Sequence, residues 1–247
     1  MNLAFYTGAA GLGAFQESIN LVGNNLSNAN TNGYKPVQAD FENLLYTRMY
    51  VNSDQRPMEG TGVRVRGANQ IMEQGTLRNT ERQLDFAIVG EEIGFFGIER
   101  DGVVSYTRDG AFTMANVDDE YYLATVDGAF VLDPEGEHIP IEVDEETERP
   151  VVDDSIREQI GVFYFNNPEA LQPISSNRYV PTDRSGEPQT IEDQEVIPIR
   201  QRMLELSKTS VADEMVSMIV AQRGFQFSAR VVQVGDEVED IISNLRK

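Results

Sequence analysis

The sequence predicts an α+β fold, with paired, coiled-coil-like N- and C-terminal helices flanking a central antiparallel β-domain. Two observations carry this. Apolar residues recur at alternating spacings of three and four near both ends, and between them lie short alternating or aromatic runs cut by glycine.

The N-terminal seam consists of Leu12, Phe15, Ile19, Val22, Leu26 and Ala29, with Ser18, Asn20 and Asn25 off it. The preceding "GAAGLGAF" has glycines spaced as in a nucleotide-binding turn. No strand comes before it as such a turn requires, so these glycines are expected to allow close helix packing or bending. The seam then runs into Asn24, Asn25, Asn28, Asn30 and Asn32, ending at Gly33. Asn and Gly accept left-handed backbone, and asparagine amides satisfy groups that a helix end leaves unpaired. A plain helix stop explains Asn32 and Gly33 but not Asn24 and Asn25, which are expected to serve contacts between subunits.

The middle runs are "LDFAIVG", "GFFGIER", "VVSYTRDGAF", "YYLATVDGAFVLD" and "IGVFYF", with "RDG" and "VDG" as tight turns. Residues 133–155 are dense in carboxylates and prolines, and 180–198 are punctuated by Pro and Gly. Both read as loops or extended links. The C-terminal seam is Val211, Met215, Met218, Gln222, Phe225, Ala229 and Val232, resuming out of phase at Val234, Val238, Ile241 and Leu245. Thr209 or Ser210 is placed to cap this helix, and Asp213 and Glu214 put negative charge near its positive end. The expected divisions are an N-terminal assembly helix (1–35), an extended link and start of the β-region (36–80), the β-domain (81–185), a returning link (186–206) and a C-terminal helix (207–247). Periodicity equally allows the two helices to pair with each other or to cover one face of the β-domain.

Composition narrows the function. With 41 acidic and 20 basic residues the net charge is −21, which repels phosphate backbones and argues against nucleic acid as a partner. No run of about 18 apolar residues is present to span a bilayer. The first basic residue is Lys35, so the start lacks the layout of a cleavable signal peptide. There is no cysteine, and the single histidine, His138, is expected to be an ordinary surface residue. Thiol chemistry, Ser-His-Asp triads and multi-histidine metal sites are therefore excluded within one chain. The carboxylates Asp118, Asp119 and Glu120, and those from Glu142 to Glu148, fall in hydrophilic loops and read as a solvated acidic face rather than an acid/base pair. "DPEGE" does not follow the ligand spacing of a calcium loop. No cofactor and no metal is expected.

Three stretches resemble the bacterial flagellar rod and hook family, the axial proteins of the basal body. They are "GNNLSNANTNGYK" at 23–35, "QGTLRNTERQLDFAIVG" with the following "GFF" and "YTRDGAF", and "EMVSMIVAQRGFQFSARVVQVGDEV" at 214–238. The likeness covers nearly the whole chain. "VGEEIGFF", the acidic segment after Asp133 and "KTSV" depart from the family pattern. The resemblance implies a non-enzymatic building block whose terminal helices pack in the inner tube of a helical filament. Its partners would be itself, other rod and hook proteins, and the flagellar type III export apparatus, through which it would pass unfolded and uncleaved. The assembly interface is then expected at Leu12, Phe15, Ile19, Val22, Asn24, Asn25, Leu26, Asn28, Thr31 and Gly33, facing Val211, Met215, Met218, Gln222, Phe225, Ala229 and Val232. A length of 247 residues favours a rod component over the hook or a hook junction. An acidic carbohydrate-binding or hydrolytic β-domain is the alternative from another class.

Overall fold

The computed structural model describes residues 3–48, 58–90, 93–117, 120–141, 143–144, 149–150, 155–175, 177–190 and 199–245. They fall into two units, one formed by 1–27, 36–70 and 209–247, the other by 28–35 and 71–208.

The first unit contains the N-terminal helix, Leu3–Ser27, and the C-terminal helix, Val211–Leu245. They run antiparallel. Gly8 lies against Val232, Gly11 against Ser228 and Phe15 against Gly224. Of the two arrangements open to the periodicity, the helices therefore pair with each other. Ser210 starts the C-terminal helix as expected. Its carbonyl accepts the Glu214 N–H at 2.9 Å and its hydroxyl accepts the Asp213 N–H at 3.4 Å. A β-arm completes the unit. Val37–Asn43 pairs antiparallel with Val63–Gln70, with a bulge between Asp40 and Phe41, and Tyr46–Arg48 pairs with Met58–Gly60.

The second unit is built on an antiparallel sheet ordered Pro140–Ile141, Glu120–Thr125, Phe130–Val131, Phe95–Arg100, Val103–Thr107, Arg178–Val180 and Gln172–Pro173. Phe112–Val117 branches from the second of these strands and Val162–Tyr164 from the fourth. Phe86–Ile88 pairs with Ile199–Gln201, and Leu77–Asn79 with Met203–Glu205. Aromatic residues fill the interior. Phe86, Phe96 and Phe112 pack in one cluster, and Phe95, Tyr106, Phe165 and Tyr179 in another, with ring centroids 4.9–6.0 Å apart.

Two local expectations change. The triplet Arg-Asp-Gly occurs twice, and only Arg100–Gly102 is a tight turn, with Asp101 and Gly102 at φ +54° and +78°. Arg108–Gly110 is instead an inner corner, where the Gly110 carbonyl accepts the Phe86 N–H at 3.0 Å and Arg108 is buried. Within the acidic stretch read as loop, Ile139 and Ile141 are core residues and Pro140–Ile141 is a strand on Tyr121 and Tyr122. The period-2 pattern of "HIPI" was outweighed by its charged surroundings. The "VDG" turn is as expected, with Gly128 at φ +82° and its N–H donating to the Thr125 carbonyl at 2.9 Å.

Candidate assembly surface

The contact between the terminal helices is centred on small residues. Buried on the N-terminal helix are Gly8, Gly11, Ala14, Val22 and Asn25, and on the C-terminal helix Ala221 and Gly235. A Cβ on Gly8 would lie 2.9 Å from Val232 Cγ2, and one on Gly224 would lie 2.5 Å from the Phe15 ring, so the backbones approach where side chains are missing. Phe15, Val22, Phe225 and Val232 of the apolar seams lie on or beside this contact, half-buried or buried. Leu12, Ile19, Leu26, Met218 and Ala229 are half-buried, whereas Val211, Met215 and Gln222 face solvent. The line of contact is thus rotated from the line of largest apolar residues.

Large apolar side chains are left outside. Val216, Ile219, Val220, Phe227, Val234, Ile241 and Ile242 on the C-terminal helix are all more than half exposed, Val220 and Phe227 at 62%. Full burial of one such side chain is worth about 1.5–3 kcal/mol, so this helix withholds a large apolar surface from its own chain.

The asparagines divide by role. Asn25 is 2% exposed. Its Nδ2 donates to the Val37 carbonyl and its Oδ1 accepts the Val37 N–H, both at 2.9 Å, so its amide stands in for a strand residue. The same Nδ2 donates to Glu214 Oε1 at 2.9 Å. Burial raises the Glu214 carboxyl above its usual range, opposed by the Asn25 bond and reinforced by Asp213. Asn24 lies on the exposed side of the helix. In the second unit, Asn28 and Thr31 close a turn through Thr31 N–H to the Asn28 carbonyl and Thr31 Oγ1 to Asn28 Oδ1, both at 3.1 Å. Gly33 follows at φ +65°, where a Cβ would meet the Arg108 backbone at 2.6 Å. Its N–H donates to the Glu205 carbonyl at 2.7 Å.

Sequence reasoning missed the charged cluster beside that turn. The Lys35, Glu205 and Arg108 side chains are 0%, 1% and 2% exposed. Lys35 Nζ donates to Glu205 Oε1 at 2.5 Å and to the Glu73 carbonyl. Arg108 Nε and Nη2 reach Glu205 Oε2 at 2.8 and 2.6 Å, and the Gly75 N–H donates to Glu205 Oε1 at 2.7 Å. One carboxylate thus faces two cations. Burial alone would raise the Glu205 carboxyl, but Arg108, Lys35 and the Gly75 N–H outweigh it and hold it below its usual value. Guanidinium does not give up its proton, so the excess positive charge is relieved at the amine. Burial lowers Lys35 from 10.5 to about 8, with Glu205 pulling it up and Arg108 pushing it further down. The available signal was one lysine ending the asparagine-rich motif of a strongly acidic chain. Its partner lies 170 residues away, between Leu204 and Leu206.

His138 has more company than expected. Its Nε2 is 3.0 Å from Glu99 Oε2, and its ring stacks on Phe130 at 4.5 Å. Asp133, Glu135 and Glu158 line a shallow cavity beside it. Among the described residues no group of three or more His, Asp or Glu is placed to hold a metal ion. Glu120 is exposed and accepts the Tyr122 hydroxyl at 2.6 Å. Asp118, Asp119, Glu142 and 145–148 lie outside the described residues. No helix among the described residues is long and apolar enough to cross a membrane.

Comparison with known proteins adds to this geometry. Residues 5–35 match the family described as "Flagella basal body rod protein", and residues 200–245 match "Flagellar basal body rod FlgEFG protein C-terminal". "Flagellar basal-body rod protein FlgG" of Borreliella burgdorferi is 36% identical, with all of both chains covered. The protein of the same name from Agrobacterium fabrum is 31% identical over 95% of this chain and 96% of its own. "Flagellar hook-basal body complex protein FlhP" of Bacillus subtilis is 26% identical over 97% of this chain and 98% of its own.

Proposed function

Because the chain belongs to the flagellar basal-body rod protein family, we propose that its antiparallel terminal helices are the element through which it polymerises. The chain is a structural subunit of the rod in the bacterial flagellar basal body. The observation that carries the polymerisation reading is the row of large apolar side chains left exposed on the C-terminal helix, while the contact within the chain is centred on small residues. A monomer gains nothing from that distribution, whereas neighbouring copies would bury it. Residues 1–35 and 207–247 are the assembly segments in this reading, and rod and hook proteins are the neighbours. The role requires no catalysis and no cofactor, and delivery is by the flagellar type III export apparatus.

Isolated hook-basal bodies labelled with gold-conjugated antibody test the assignment. Label is expected along the rod, between the inner-membrane ring and the hook. Label on the hook would favour a hook or hook-junction role, in keeping with the name of the Bacillus subtilis relative. Absence from the particles would overturn both.

A further inference from the structure

Each terminal helix has a second face besides the one that touches its partner, and both second faces carry the period of helix packing. On the C-terminal helix Phe227, Val231, Val234, Val238, Ile241 and Leu245 alternate at spacings of four and three, each at least 43% exposed. Phe227 and Val234 immediately precede the contact residues Ser228 and Gly235, so this outer row lies about 100° round the helix from the contact. On the N-terminal helix Tyr6, Ala9, Gly13, Gln16, Asn20 and Gly23 alternate at three and four. Gly13 follows Gly11 by two residues, about 200° round, which puts this row on the side away from the C-terminal helix. Alternation of three and four is the spacing at which one helix lies lengthwise on another.

The second face of the N-terminal helix is not made for water. The helix has one charged residue, Glu17, among 25, in a chain that is 25% charged. Glycine inside a helix costs stability unless something needs the space. Nothing among the described residues lies within 4 Å of a Cβ built on Gly13 or Gly23, so the chain itself gives no reason for either. Gln16 Nε2 donates to Asn20 Oδ1 at 3.1 Å, so the two amides can be covered with one bond already made. The two rows also match in size, large against small. The same matching holds inside the chain, where Phe15 packs on Gly224 and Val232 on Gly8. Pairing two C-terminal helices would set large against large and leave the glycines uncovered. We infer that the outer row of the C-terminal helix of one copy seats on the outward row of the N-terminal helix of a second copy. The giving and receiving surfaces differ, so every copy carries one of each and the contact can repeat from copy to copy. This names the partner surface within the proposed polymerisation and rests on that reading.

Cysteine pairing in isolated hook-basal bodies tests the contact, since the chain has no cysteine of its own. Gly13→Cys is combined in turn with Phe227→Cys, Val231→Cys, Val234→Cys, Val238→Cys, Ile241→Cys and Leu245→Cys, and each double variant is oxidised and separated without reductant. At least one should give a ladder of linked copies, while every single variant stays monomeric. Ala9→Cys takes the place of Gly13→Cys if that variant does not enter the particles. A ladder in none of them, with the chains present, overturns the inference. Dimers from an outer-row cysteine alone would show two C-terminal helices pairing, and overturn it too. Gly13→Leu gives an independent reading. Leucine has the higher helix propensity and the space beside Gly13 is open, so the free variant should melt no lower than the unaltered chain. Its incorporation into the particles should fall about tenfold or more, because the neighbour's side chains need that space. Unchanged incorporation overturns the inference. Absence of the unaltered chain from the particles, seen by immunoblot before oxidation, would instead overturn the rod reading and the inference with it.

Discussion

The two units handle apolar surface in opposite ways. In the β-unit the largest apolar side chains, among them Phe86, Phe95, Phe96 and Phe112, are wholly buried, and a charged triad is sealed in with them. In the helix unit glycine, alanine and serine let the helices approach, with Phe15 and Val232 packed on the glycines opposite them, while Phe227, Ile241 and Leu245 remain in solvent. The first is the arrangement of a domain that completes its own core. The second is that of a surface that is finished by other molecules.

The largest losses of stability are expected from substitutions in the β-unit. Glu205→Leu leaves Lys35 and Arg108 buried without their carboxylate, and is expected to cost about 3–5 kcal/mol in urea unfolding. The same replacement at exposed Glu239 should stay within about 0.5 kcal/mol. A cost at Glu205 no larger than that at Glu239 would mean that the triad contributes little to the β-unit.

The pH dependence of the same cluster comes next in size. Below pH 8 Lys35 is protonated in the folded and unfolded chain alike, and the fold carries the full cost of the excess buried charge. Between about 8 and 10.5 the folded chain has released the proton and the unfolded chain has not, so stability rises with pH. The gap between the two values corresponds to about 3 kcal/mol at most. Unfolding of the unaltered chain and of Lys35→Met at pH 7 and pH 10.5 should show the unaltered chain gaining by up to that amount relative to the variant. Parallel responses would exclude an amine titrating near pH 8.

In the helix unit the corresponding experiment is to add volume rather than remove charge. Gly224→Val puts atoms where the Phe15 ring lies and should cost about 1–3 kcal/mol, seen as a lower helix melting temperature by circular dichroism. The gain in intrinsic helix propensity is a few tenths of a kcal/mol and cannot offset this. The smallest effect on stability belongs to Phe227→Ser, within about 0.5 kcal/mol because the ring is 62% exposed. Its effect on function should be large, with the variant missing from isolated basal bodies despite normal expression. Normal incorporation would remove Phe227 from the polymerising face.

These contrasts also show what the sequence could and could not reveal. Both helices, the β-region between them and the Ser210 cap follow from periodicity and local chemistry, so they were legible. The line of contact was not. Apolar periodicity marks the largest side chains, and here those are divided between the partner helix and solvent, while Gly8, Gly11 and Ala221 carry almost no hydrophobic signal. Asn25 was legible as something more than a helix stop, but its partners Val37 and Glu214 were not, since the latter lies 189 residues away. Ile139 and Ile141 were hidden by the acidic residues around them, because composition over a window dilutes a two-residue strand.

The bond between Lys35 and Glu205 joins positions 170 residues apart. A chain emerging from its N-terminus presents the amine early and the carboxylate only when four-fifths of its length has appeared. Until then the asparagine-rich turn and the last strands of the β-unit have no common anchor, and the closing step joins segments far apart in the chain. The triad therefore acts in time as well as in space. The β-unit cannot be completed until the chain as far as Glu205 is free to fold.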